Sequence, residues 1–451
     1  MRPVFAVVGH PNKGKSSIVS TLARNDTIRI SQQSGTTTTA DCVRVETAHA
    51  GYELVDTPGF QRPGKVLEWL QQKGVAADQR VAVIQQFLAD EQCQQRFPDE
   101  IRLLTPIMQG AAILYVVDGS RPFGVEYEAE MEILRWTGQP SMALINPIEN
   151  EDYVESWSKA LAQYFKIVRV FNPFQADFAK QLALLEAFAH LKPEWREALD
   201  QVNQDLIQFR EQQKQDSAEL LARLLEDLCQ YRVSQKVLEK SQADVVYPVL
   251  AEKYHHWMRQ REQQTITELL AVYAHFQTKI SVDELHLPPD LFDCEHWFMW
   301  GLDKQQLAIA AALAGATAGA AADMVVAGHS FMLGAIGGGI LGFGSAWLGA
   351  DKLQQMKVKG LPLGGFEAIC GPVSNPNFPY VVIGRFVYLY QQISRRNHAQ
   401  RTPLVINPLN LNEQIEQLDK ADRKALHAAC ARLIKQKTVD SLSLLLLPLL
   451  N

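Results

Sequence analysis

The first 190 residues alternate short apolar runs with amphipathic stretches. β-Branched apolar runs predict strands at 3–8, 42–47, 52–56, 111–118, 141–145 and 166–171, and a stretch such as 17–23 can form a helix. Strands that alternate with helices are typical of a mainly parallel sheet whose two faces are both covered. Residues 1–190 are therefore predicted to form an α/β domain.

Three regions with other patterns follow this domain. Residues 193–300 carry leucines at three- and four-residue intervals among many charged and amide side chains, which predicts long amphipathic helices. Residues 304–352 are rich in Gly and Ala, and they predict an apolar hairpin of two closely packed helices. Residues 193–352 are thus expected to be mainly helical.

The last region, residues 360–451, is predicted to be a small α+β segment. We expect strands at 366–370 and 380–390, a helix at 419–437 and a leucine-rich tail at 441–450. Docking of this tail on the protein itself is the preferred interpretation, and contact with a partner or with lipid is the alternative.

The stretch between the first predicted strand and the first predicted helix reads G-x-x-x-x-G-K-S. In that context the pattern predicts a phosphate-binding loop, because Gly9 and Gly14 let backbone N–H groups face phosphate oxygens. Lys15 is expected to reach the β- and γ-phosphates of a nucleotide, and the Ser16 hydroxyl to ligate Mg²⁺. The other phosphate contacts predicted in this stretch are Asn12, Lys13 and Ser17.

A second candidate element, Asp-Thr-Pro-Gly, ends the predicted strand at 52–56. Asp56 is expected to hold Mg²⁺, and the N–H of Gly59 can point at a γ-phosphate. The hydroxyl-rich loop at 31–39 precedes it and supplies a third element, in which Thr37 or its neighbour Thr36 is the expected metal ligand.

These three motifs together resemble the translation-factor class of small GTPases, in particular the Era and MnmE branch. Over residues 1–190 the resemblance implies a Ras-like P-loop NTPase fold that binds GTP or GDP with Mg²⁺ held by Ser16, Thr37 and Asp56. It implies that Lys15, Thr37 and Gly59 support hydrolysis. It also places Asn12 where this branch has an asparagine that helps to bind an activating K⁺.

The sequence departs from the GTPase pattern at two places. Phe60 stands where Ras-type enzymes have a glutamine that orients water, so hydrolysis is expected to be slow unless K⁺, another loop or a partner assists. The guanine motif Asn-Lys-x-Asp becomes Asn146-Pro147-Ile148-Glu149, in which Asn146 and Glu149 can still contact guanine but the stacking lysine is lost. Asn172-Pro173 is the expected last base-contact loop.

Two features of the α/β domain have more than one interpretation. Helical spacing at 67–72, 80–90 and 99–108 predicts an insertion at about 61–110, which is either a nucleotide-sensitive partner surface or a decorative addition. Arg121 follows the strand at 111–118 and is either a charge donor to the transferred phosphoryl group or, in the preferred interpretation, a surface arginine.

The net charge and the cysteine content limit the kinds of partner and metal that the chain is expected to bind. A net charge of −6 argues against a general nucleic-acid binder. The six cysteines are scattered without a C-x-x-C pair, which predicts no zinc site and suits the cytoplasm.

Residues 324–350 contain no Asp, Glu, Lys or Arg, and a helix of about 20 apolar residues can span a bilayer. Two interpretations stay open: residues 305–350 contact the inner membrane, or they form a soluble hairpin.

The arrangement of the whole chain resembles bacterial proteins that join an Era-like GTPase domain to a helical domain of unknown function. The first hypothesis is a GTP-hydrolysing switch that controls a membrane-associated helical region, acting with a protein partner or as a homodimer. The alternatives are a soluble Era-like GTPase in ribosome or RNA assembly and a nucleotide-binding scaffold with negligible turnover.

Overall fold

The computed structural model describes residues 2–23, 31–33, 41–273, 291, 354–361, 365–394, 415 and 417–450. They fall into two compact units, the first running to Arg210 and the second beginning at Glu211. The hairpin predicted at 304–352 and the predicted ligands Thr36 and Thr37 lie outside these residues. Within the described part of the chain, no helix combines the length and the apolarity needed to cross a bilayer.

The first unit is built on a seven-stranded sheet in the order β2-β3-β4-β1-β5-β6-β7. Strands β1, β4, β5, β6 and β7 are parallel, whereas β3 runs antiparallel to β2 and β4. The strands are β1 (Val4–Val8), β2 (Ser31–Gln33), β3 (Asp41–Glu46), β4 (Gly51–Asp56), β5 (Ala112–Asp118), β6 (Ser141–Asn146) and β7 (Ile167–Val170).

Both faces of this sheet are buried, which confirms the predicted α/β fold. Along β1, Phe5 and Val7 enter one apolar cluster while Ala6 and Val8 enter the other. This alternation is the two-residue period of a strand that has cores on both sides. The covering helices outside the insertion are α1 (Lys15–Ala23), α6 (Glu126–Trp136), α7 (Val154–Leu161) and α8 (Phe178–Ala189).

The predicted helical insertion is present and packs on one of the two cores. It contains α2 (Pro63–Gln71), α3 (Arg80–Ala89), α4 (Glu91–Arg96) and α5 (Pro98–Met108). Of these, α4 was not expected from the sequence, because six residues carry too little periodicity to reveal a helix. Its start is fixed by Asp90, whose carboxylate accepts a hydrogen bond from the Cys93 backbone N–H at 2.8 Å.

The second unit combines helices with a three-stranded antiparallel sheet in the order β8-β10-β9. The prediction of helices across 193–300 was therefore wrong at residues 233–237, which form strand β8 and pair with β10. The elements are α9 (Arg196–Gln230), which supplies residues to both units, β8 (Val233–Val237), α10 (Gln242–Val272), β9 (Gln354–Gly360), β10 (Phe366–Val373), α11 (Phe378–Ser394), α12 (Lys420–Ile434) and α13 (Leu442–Leu446).

The strand predicted at 380–390 is wrong, since these residues lie within α11. Nearly every side chain of α11 is buried, so its apolar run has no polar face to reveal a helical period. The local feature that marks the beginning of α11 lies just before the helix, where Asn375 Oδ1 accepts a hydrogen bond from the Asn377 N–H at 2.9 Å. The predicted docking of the tail is confirmed, because Leu442, Leu446 and Leu449 lie in the core of this unit.

Candidate functional site

The loop between β1 and α1 has a backbone that requires glycine at both ends. Gly9 has φ 143°, and a Cβ atom on it would lie 2.3 Å from the Val116 carbonyl oxygen. Gly14 has φ 84°, and its Cβ atom would lie 2.3 Å from Nδ2 of Asn146. Asn12 between them is also left-handed, with φ 61°. Such a loop at a helix N-terminus presents N–H groups to an anion.

Lys15 is folded back into this loop. Its ammonium donates hydrogen bonds to the carbonyl oxygens of Gly9 at 3.3 Å and His10 at 3.0 Å. Burial lowers the pKa of Lys15, while the carboxylates of Asp56 and Glu130 act in the opposite direction. The loop therefore contains a buried cation that can exchange its carbonyl partners for the oxygens of an anion.

Ser16 and Asp56 form a pair of hard oxygen donors. The Ser16 hydroxyl donates to Oδ2 of Asp56 at 2.7 Å. Register brings them together, because the end of β4 lies beside β1, with Asp56 paired to Val7. A hydroxyl and a carboxylate are ligands that suit Mg²⁺, which keeps several waters and takes few protein ligands. Ser17 follows in the first turn of α1.

The segment after Asp56 packs directly against the phosphate loop. The Thr57 hydroxyl donates to the Val7 carbonyl at 2.7 Å, and the Phe60 N–H donates to the Gly9 carbonyl at 3.3 Å. A Cβ atom on Gly59 would lie 2.5 Å from the Pro11 nitrogen, so only glycine fits there. The Phe60 side chain is fully buried, in a core cluster that it shares with residues of the insertion helices.

Glu100 is a residue of this site that sequence reasoning missed. It lies on α5 of the insertion, is 1% exposed, and accepts hydrogen bonds from the backbone N–H groups of Gln61 at 3.0 Å and Arg62 at 2.6 Å. The insertion thus anchors the two residues that follow Phe60. A glutamate in the first turn of a helix is common, so the sequence contained no signal for this contact.

Sequence reasoning also missed a group of three hydrogen-bonded side chains, which is connected to the phosphate loop through His10. Nδ1 of His10 is 2.8 Å from Oε1 of Glu130, and the Tyr115 hydroxyl donates to Oε2 of Glu130 at 2.9 Å. Glu130 is completely buried, and burial followed by the Glu130 charge raises the pKa of Tyr115. Tyr115 therefore stays a hydrogen-bond donor, and Glu130 connects the loop to α6.

The predicted base-contact residues meet at the carboxyl ends of β5, β6 and β7. Nδ2 of Asn146, which is fully buried, donates to the Lys13 carbonyl at 3.2 Å. Nζ of Lys13 lies 3.5 Å from Oδ2 of Asp118. Nδ2 of Asn172 donates to the Pro147 carbonyl at 3.1 Å, which brings the loop after β7 against the loop after β6.

Glu149, the last of the predicted base contacts, is exposed. Its carboxylate lies 3.3 Å from the guanidinium of Arg121. The structure therefore favours the surface interpretation of Arg121.

Comparison with known families finds two matches. The family described as "50S ribosome-binding GTPase" matches residues 4–146, and the family described as "Domain of unknown function (DUF3482)" matches residues 158–443.

Curated relatives match part of the chain. GTPase Der of Staphylococcus epidermidis is 26% identical over 186 residues, which covers 41% of this chain and 35% of that protein. GTPase Der of Nitrosomonas europaea is 38% identical over 73 residues, 16% of each chain. The chain thus spans about a third or less of these relatives' length. A crystal structure of Aquifex aeolicus Era bound to GDP and AlF₄⁻ is 12% identical, covering 61% of this chain and 91% of that one with a TM-score of 0.28.

Proposed function

We propose that this chain, which belongs to the DUF3482 family and has a GTPase domain of the Era and Der type at its N-terminus, is a GTP-hydrolysing switch. The 2.7 Å contact between Ser16 and Asp56, beside the buried ammonium of Lys15, carries the proposal. The guanine nucleotide is the ligand that the predicted base contacts Asn146 and Glu149 suit.

Each part of the phosphate site has a role in this proposal. Mg²⁺ would be held by Ser16, Thr37 and Asp56, and it neutralises charge on the β- and γ-phosphates when bound. Lys15 leaves the carbonyls of Gly9 and His10 to contact the same phosphates. The N–H of Gly59 meets the γ-phosphate, so this contact distinguishes GTP from GDP.

Hydrolysis by the chain alone is proposed to be slow. The Phe60 side chain lies in the core, so it orients no water beside the γ-phosphate. K⁺ held with the help of Asn12, another loop, or a partner would supply what is missing. Turnover measured in K⁺ and in Na⁺ tests this, and equal rates would exclude the role of K⁺.

The nucleotide state is proposed to control the helical region after residue 190, with residues 305–350 contacting the inner membrane. The long uncharged stretch at 324–350 supports membrane contact. Fractionation of the expressed protein with and without residues 305–350 tests it. Recovery of both forms in the soluble fraction would exclude membrane contact.

Two alternatives have support of their own. The description of the matching family as ribosome-binding favours a role in ribosome or RNA assembly, although the net charge of −6 does not. The buried Phe60 favours a nucleotide-binding scaffold with negligible turnover. Co-sedimentation with 50S subunits and measurement of GTP turnover separate these alternatives from the switch.

Calorimetric titration with GTP, GDP and ATP in the presence of Mg²⁺ tests nucleotide binding itself. We expect binding of GTP and GDP, no binding of ATP, and at least a hundredfold loss of affinity in Lys15→Ala. Lys159→Ala is the matched control, because Lys159 is exposed on α7 and forms an ion pair with Glu155, one turn earlier on the same helix. Absence of heat with every purine nucleotide would overturn the proposal.

A further inference from the structure

Arg121 and Glu149 connect the loop after β5 to the loop after β6. Their charged groups lie 3.3 Å apart, with 59% and 62% of the two side chains exposed. The backbone of Arg121 is fixed, because its carbonyl accepts a hydrogen bond from Nε1 of Trp157 at 2.8 Å and Trp157 is fully buried. Arg121, whose backbone is fixed, therefore holds the Glu149 carboxylate, which would otherwise be a mobile surface group.

Residues 173–175 of the neighbouring loop, after β7, offer no free backbone donor. Pro173 has no N–H, the Phe174 N–H donates to Oδ1 of Asn172 at 2.9 Å, and the Gln175 N–H donates to the Asn172 carbonyl at 3.1 Å. Asn172 itself is held against the Pro147 carbonyl. Within residues 173–175, no backbone N–H is left for the 6-oxo group of a guanine base.

Recognition of guanine then depends on its other edge, which carries N1–H and the 2-amino group. Both are donors, and the Glu149 carboxylate is an acceptor at the expected place. A glutamate has one more rotatable bond than the usual aspartate, so ordering its side chain costs more entropy. An ionised carboxylate has about four acceptor positions, so one bond from Arg121 leaves room for two from the base.

We propose that Arg121 is a positioning residue for base recognition, holding the Glu149 carboxylate toward the N1–H and 2-amino edge of guanine. The inference rests on the proposed function, since it assumes that a guanine nucleotide occupies this site. In this proposal the protein recognises guanine by its 2-amino group rather than by its 6-oxo group.

Calorimetry with GDP and with inosine diphosphate tests this inference, because inosine keeps the 6-oxo group and N1–H but lacks the 2-amino group. The full chain is compared with Arg121→Ala, Glu149→Ala and the double variant. We expect Arg121→Ala to weaken GDP binding about threefold to fivefold, the upper part of the range of an exposed ion pair, and to lower the preference for GDP over inosine diphosphate.

Two further results are expected. In the Glu149→Ala background, Arg121→Ala should change GDP affinity by less than about 1.5-fold, because Arg121 acts only through the carboxylate. Arg121→Lys should restore part of the preference. Arg135→Ala is the matched control, since Arg135 forms a 2.7 Å ion pair with Glu132 on α6.

An unchanged preference in Arg121→Ala, a gain in GDP affinity, or an equal loss in the Glu149→Ala background would overturn the inference while leaving GDP binding intact. If the unmodified chain bound no GDP, the proposed function would fail and this inference with it. The two failures are therefore distinguishable.

Discussion

The Asp205 carboxylate on α9 accepts a hydrogen bond from the Thr47 hydroxyl at 2.6 Å, and this contact ties α9 to the turn between β3 and β4. The same carboxylate accepts bonds from the backbone N–H and Nδ1 of His49, each at 2.8 Å, and from Nε2 of Gln201 at 2.9 Å. The turn belongs to the hairpin that ends at the proposed metal ligand Asp56. Hydrogen bonds therefore join α9 to one end of the β3–β4 hairpin, and the proposed metal ligand Asp56 lies at the other end.

Removing this carboxylate should destabilise the first unit. Asp205→Ala leaves several donors without their charged acceptor, and hydrogen bonds to charged groups contribute about 1.5–3 kcal/mol. For a unit of this size, the melting temperature should fall by about 3–12 °C. Thermal unfolding followed by circular dichroism measures the effect. Asp200→Ala is the control, since Asp200 is exposed on the same helix, and an equal fall there would contradict the assignment.

The pH dependence of the same contact follows from its pKa. Burial raises the pKa of Asp205, but the hydrogen bonds from Thr47, His49 and Gln201 outweigh burial and hold it well below the usual value. The contact therefore stabilises fully above about pH 5, and this stabilisation is lost progressively as the pH falls further. The difference in melting temperature between the unmodified chain and Asp205→Ala should be constant from pH 8 to 5 and shrink below pH 4.

Gly14→Ala should abolish tight nucleotide binding. The added methyl group would meet Nδ2 of Asn146 at 2.3 Å, and the positive φ of Gly14 disfavours any residue with a Cβ atom. Both effects displace the Asn146 side chain from the Lys13 carbonyl. We expect at least a tenfold loss of GDP affinity in calorimetry. Gly64→Ala is the control, because nothing lies within 4 Å of its added Cβ atom, and it should bind GDP normally.

Glu100→Ala should reduce the preference of the chain for GTP over GDP. Without this carboxylate, the N–H groups of Gln61 and Arg62 lose their acceptor, and Gly59 just before them is less well placed for the γ-phosphate. We expect GTP affinity to fall about threefold to tenfold and GDP affinity to stay within twofold.

The conservative variant Glu100→Gln keeps one acceptor oxygen and should recover part of the preference for GTP. Glu91→Gln is a control on the exposed surface of the same insertion. A parallel loss of GTP and GDP affinity in Glu100→Ala would show that the carboxylate supports only the fold, against the proposed role.

The sequence predicted the centre of the site because its chemistry depends on short spacing. Gly9, Gly14, Lys15 and Ser16 belong to one strand–loop–helix unit, so their positions relative to one another are local properties. Asp56 was predictable because it ends the strand that pairs with β1. The GTPase fold of the first unit followed from the same local pattern.

The contacts around that centre could not be predicted, because they join residues that are distant along the chain. Glu100 and Asp205 are ordinary acidic residues on amphipathic helices, and only the fold shows that each is buried against backbone N–H groups. The sequence shows Phe60 where Ras-type enzymes have a glutamine, but it could not show that this side chain is buried in a core together with residues of the insertion helices.

A half-buried histidine, His427, makes the stability of the second unit depend on pH. Nδ1 of His427 on α12 lies 2.5 Å from the Tyr380 hydroxyl on α11. Burial lowers the pKa of His427, and the charge of Arg423 lowers it further. As the pH falls below about 6.5, the unfolded chain takes up a proton that the folded unit does not. The free energy of unfolding should therefore decrease, by up to about 1.4 kcal/mol per pH unit.

Urea denaturation at pH values from 7.5 to 5 measures this slope, and His427→Gln should flatten it. His256→Gln is the matched control, because His256 is exposed on α10 and should leave the slope unchanged. A slope that survived in His427→Gln would assign the pH dependence to another group.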